Sequence, residues 1–79
     1  MNMRGKVMTK CELEFAVFCV ENVAEKLGAD AVSVYKALTG KSDIMFGYIV
    51  PEYETLHTQS KEYIVNDIIE LIKEKDIEI

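Results

Sequence analysis

Proline occurs once and glycine four times in 79 residues, which leaves few places where the backbone must break and argues against a disordered or linker-like chain. Cysteine is equally sparse, present only as Cys11 and Cys19. Eight residues apart on one helix, the two are separated by about 12 Å of rise, beyond the reach of a disulfide. They read as reduced thiols, and no CxxC or Cys/His cluster offers zinc ligands. No metal or other cofactor is expected. Basic residues are in the minority, nine Lys and Arg against fourteen Asp and Glu, for a net charge of −5. They are scattered among the acids, so no basic face exists to neutralise a phosphate backbone, and nucleic acid is not an expected partner. No apolar run approaches the roughly 20 residues of a membrane span, and Met1 to Val7 does not lead into the apolar segment of a signal peptide. The expectation is a cytoplasmic protein that does not engage a membrane.

What the chain does have is apolar content, 49% of its residues, in patterns that predict helices. At this length one small domain over 1–79 is expected, near the lower limit for independent folding, so stability can lean on a partner. Residues 1–8 form a lead without periodicity. Thr9, with Glu12 three residues on, matches a capping box and opens a helix over 9–27 that Gly28 stops. Asp30 caps a second helix over 30–39, ended at Gly40. Ser42 or Asp43 can cap a third over 43–50, where Ile44, Met45, Phe46, Tyr48, Ile49 and Val50 are too uniformly apolar for periodicity to separate helix from strand. Helix is preferred there because a lone strand would have no partner. Pro51 blocks continuation. A last helix over 58–75 carries Ile64, Val65, Ile68, Leu71 and Ile72 at helical spacing, with Lys73 and Lys75 suited to its C-terminal dipole. The sum is an all-α bundle of four helices, two long and two short.

At 100° per residue the first helix places Leu13, Ala16, Val17, Val20, Val23, Ala24 and Leu27 on one continuous stripe, the expected core face. Cys11, Phe15 and Phe18 fall on the opposite side beside Asn22. Either that side is covered by the chain itself, or it is an exposed aromatic patch for dimerisation or partner docking. The patch is taken as the leading interface. Tyr63, nearly opposite the apolar stripe of the last helix and close to Glu70 and Glu74, is added to it.

A second candidate site precedes the last helix, where His57, Thr58, Gln59, Ser60, Lys61 and Glu62 place six hydrogen-bonding side chains in a row. His57 and Lys61 fall near the core line of that helix, Lys61 with its stem along apolar surface. The turn is mainly architectural on this reading, with Thr58 or Ser60 as cap. The alternative is a polar pocket of His57, Gln59, Ser60 and Lys61, with Tyr53 beside them, at the positive end of a helix and suited to a carboxylate or phosphate. Catalysis is not expected. The single His would be the only base, no group is positioned to orient it, and no glycine-rich phosphate loop is present.

EFAVFCVENVAEKLG (Glu14 to Gly28), VYKALTGKSD (Val34 to Asp43) and YIVPEYETLHTQSKEYIVNDIIELIKEK (Tyr48 to Lys75) together resemble a family of short bacterial proteins known as a domain of unknown function and common in gut Firmicutes. The LHTQSKEYIV segment is the specific part. The resemblance implies no activity, cofactor or catalytic residue. It does imply a neighbouring gene for an ADP-ribosyltransferase-like protein, which would suit an antitoxin or another small binding partner. The expectation is a non-enzymatic protein-interaction module that self-associates or binds a neighbouring protein.

Overall fold

A computed structural model describes residues 8–79. The expected lead over 1–8 lies outside the described residues except for Met8. Helix α1 spans Lys10–Leu27. The Glu12 backbone N–H donates to Thr9 Oγ1 at 3.1 Å and the Thr9 N–H donates to Glu12 Oε1 at 3.0 Å, so each of two N–H groups without a helical partner is satisfied by the other residue's side chain. At the other end Gly28 takes φ 67°, and its N–H and that of Ala29 fold back onto the carbonyls of Glu25 and Ala24. This left-handed stop suits a residue without Cβ.

Helix α2 spans Ala31–Thr39, with the Asp30 carboxylate accepting the Ser33 N–H. Ser42 then donates to the Ala37 carbonyl and accepts the Ile44 N–H, turning the chain into a π-helical turn, Met45–Ile49, whose wider spacing is seen in the Val50 N–H to Met45 carbonyl bond of 2.9 Å. Gly47 lies over the Asp43 side chain, where an added Cβ would stand 2.8 Å from a carboxylate oxygen. Pro51 ends this turn, a short helix α3 spans Tyr53–Leu56, and α4 spans Lys61–Glu74.

The all-α class read from the sequence holds, but the count does not. The described residues form five helical segments, because Tyr53–Leu56 closes its own turn where a plain connection was expected. The helix expected from 58 begins at Lys61, since Ser60 is its cap and accepts the Tyr63 N–H at 3.1 Å. α1 is central, packed on α2 along one side and on α4 along another. Val23, Cys19, Val34, Leu38, Ile44, Met45, Ile49 and Ile68 are fully buried between them, each larger aliphatic contributing about 1.5–3 kcal/mol. No helix among the described residues is long and apolar enough to cross a membrane.

The buried face of α1 keeps Ala16, Val20, Val23 and Ala24 of the expected stripe but not the rest. It comprises Phe15, Ala16, Cys19, Val20, Val23 and Ala24, while Leu13, Val17 and Leu27 are 52%, 47% and 40% exposed. Averaged on the wheel, the buried arc is rotated roughly 50° toward Phe15. α1 packs mainly on α2 and α4, and the Tyr53 ring meets Phe15 edge-on at a centroid distance of 5.4 Å, adding cover on that side. Phe15 is therefore core, as the covered alternative has it, and is not an exposed interface residue.

Candidate functional site

The residues singled out around His57 are not gathered into one pocket. The His57 ring stacks on Tyr53, centroids 4.5 Å apart and 15° from parallel, and is exposed instead of lying on the core line of α4. The backbone explains this: His57 ends α3, four residues before α4 begins. Thr58 donates its hydroxyl to the Thr55 carbonyl, and the Ser60 hydroxyl is engaged by the Tyr63 N–H. Gln59 is exposed, its N–H donating to the Leu56 carbonyl. Lys61 faces a polar cleft between α1 and α4 with Asn22, Glu25, Lys26, Glu62 and Asn66.

The aromatic side of α1 forms a ladder more than a patch. Phe18 stacks on Phe15 at 6.0 Å, Phe15 meets Tyr53, and Tyr53 carries His57. Phe18 is half-buried, as is Asn22, whose amide donates to the Phe18 carbonyl at 2.8 Å. Cys11 is exposed beside Tyr53, whose phenol is raised above its ordinary value by desolvation first and by the neighbouring thiol second. Cys19 is fully buried, and burial pushes its thiol up to about 12, which makes it unreactive at neutral pH. Tyr63 is 52% exposed on α4. One turn further on, Asp67 accepts the Tyr48 hydroxyl and fastens the π-helical turn to α4. That bond is the first cause of a Tyr48 pKa raised to about 12, since the carboxylate holds the phenol proton.

An exposed apolar groove lies elsewhere, between α1 and α2. Leu13 and Val17 on α1 stand across from Val32 and Tyr35 on α2, all four about half exposed. They wall a groove of about 290 Å³ whose floor is Ala16, Val20 and Ala31, with Met8 and Glu21 at its margins. The sequence pattern could have pointed to it in α2. Val34 and Leu38 are one turn apart and both buried, and Val32 lies off that line, an apolar residue with no place in the core. In α1 the signal was misassigned, because Leu13 and Val17 belong to the stripe that periodicity gives to the core.

No curated protein and no solved structure matches the chain. A family model described as a protein of unknown function (DUF3791) matches residues 14–75, a range that takes in most of α1 and all of α2, the π-helical turn, α3 and α4. Over that range and with that all-helical core, the chain belongs to the DUF3791 family.

Proposed function

We propose that the chain is a non-enzymatic protein-interaction module and that its docking surface is the α1–α2 groove walled by Leu13, Val17, Val32 and Tyr35. One observation carries this reading: the apolar stripe of α1 is wider than the described residues cover, and its exposed part runs on across Val32 and Tyr35. A single exposed Leu or Val is ordinary on a protein surface, but a contiguous apolar groove with a polar margin is what partner sites look like. A small domain has the most to gain from covering it, because it buries a low fraction of its surface alone. Tyr35 adds a rigid aromatic of the type enriched at interfaces. The polar turn at His57 is assigned to architecture, because Ser60 is engaged as the α4 cap. With an acidic net charge, the module is suited to a cytoplasmic protein partner more than to nucleic acid or an anionic membrane.

The test is site-specific photo-crosslinking in cells, with a photoreactive phenylalanine at position 17 and, as a control, at position 70 on α4. The reading expects a defined protein adduct from position 17 alone, and the adduct mass separates a second copy from another protein such as an ADP-ribosyltransferase-like neighbour. Absence of an adduct at 17, or equal yields at 17 and 70, contradicts it.

A further inference from the structure

We infer that the occupant of the α1–α2 groove is a second copy of this chain, seated antiparallel across a twofold axis near position 15 of α1; this rests on the groove being a docking surface. A twofold interface must be self-complementary, so that if residue i meets residue j of the other copy, residue j meets residue i. The exposed line of α1 satisfies that condition twice. Leu13 and Val17 are one turn apart and form the apolar pair, with its midpoint at position 15. Lys10 and Glu21 are both exposed and lie within about 40° of Val17 on the wheel, Glu21 at the margin of the groove; their midpoint falls between positions 15 and 16. Two pairs of different chemistry thus share one centre to within a residue.

Laid antiparallel on itself, α1 puts Leu13 against Val17 of the second copy and Val17 against Leu13. At each end Lys10 comes opposite Glu21, so two apolar contacts are bracketed by two ion pairs. Laid parallel, the same line would put Lys10 beside Lys10 and Glu21 beside Glu21, like charges at both ends. The charge order along α1 therefore selects the antiparallel arrangement. Val32 and Tyr35 follow on the α2 side and close that edge. The face is short, so the dimer belongs to the small end of the interface size range, weak and concentration-dependent.

The experiment is sedimentation equilibrium of the full chain and its variants across roughly 1 µM to 1 mM. The wild type is expected to rise from the mass of one chain toward that of two. Val17→Glu, at a site half exposed in the single chain, is expected to stay at one chain with unchanged helical circular dichroism. Glu21→Lys places Lys10 opposite a new lysine and is expected to move the midpoint to about tenfold higher concentration. Combining it with Lys10→Glu exchanges the charges and is expected to restore the wild-type midpoint. A wild type that remains one chain throughout overturns the inference, as does a dimer indifferent to Val17→Glu or a charge exchange that fails to restore. If the mass stays at one chain while position 17 still crosslinks to another protein, the docking surface stands and only the second copy is lost. If both fail, the surface itself is wrong.

Discussion

Phe15 and Tyr53 meet edge to face, ring centroids 5.4 Å apart and planes at 68°, and Phe15 is buried beneath this contact. It connects a long helix to a four-residue helix 38 positions later, and Phe15 is core while Phe18 stays half-buried. Phe15→Ala is expected to cost about 3 kcal/mol, the range of a buried aromatic truncated to alanine. Denaturant unfolding checks it. An unchanged midpoint would mean that the ring contributes nothing to the fold.

Val17 gives the opposite expectation. As a half-exposed residue of the groove, its replacement by Glu should change the stability of the single chain by no more than about 0.5 kcal/mol, the usual range for surface positions. The same unfolding measurement at a concentration below any association makes the comparison. A loss as large as that of Phe15→Ala would place Val17 in the core.

Tyr48 and Asp67 predict a response to base. The folded phenol, raised to about 12, holds its proton more tightly than an unfolded tyrosine, which ionises near pH 10. The native chain therefore binds more protons in this window. The stabilisation is complete below pH 10 and is lost as pH rises from about 10 toward 12. The difference between the ultraviolet titrations of the wild type and Tyr48→Phe should show Tyr48 ionising at about pH 12, and Asp67→Asn should lower that value toward about 10 and flatten the alkaline loss of stability. A Tyr48 that ionises as late in Asp67→Asn as in the wild type would refute the assignment.

Ser60 tests the architectural role of the polar turn. Its hydroxyl caps α4, so Ser60→Ala should cost about 1 kcal/mol and Ser60→Asp should recover most of it. Thermal unfolding of the two variants distinguishes a cap, which an Asp can replace, from a residue with another task.

The helices were legible where local chemistry fixes them. The Thr9 and Glu12 box, Gly28, and Asp30 each act within one turn of chain, and the structure uses them all. α3 was not legible, because Tyr53–Leu56 lacks a side-chain cap and is too short to show a period. The orientation of α1 was misread for a different reason. Its two apolar arcs, one through Leu13 and Val17 and the other through Phe15 and Cys19, nearly encircle it, and periodicity cannot tell which arc a partner 38 residues away will cover. The candidate site inherited the same error. The sequence leaves Phe15 open between core and surface and places Val17 in the core, while Val32 and Tyr35 gain meaning only once α2 is laid beside α1.

The most direct measurement of which face associates is a methyl and aromatic NMR dilution series on the full chain. The account predicts concentration-dependent shifts at Leu13, Val17, Val32 and Tyr35, with Phe18 and Tyr63 unmoved. Shifts centred on Phe18 and Tyr63, with the groove residues silent, would contradict it.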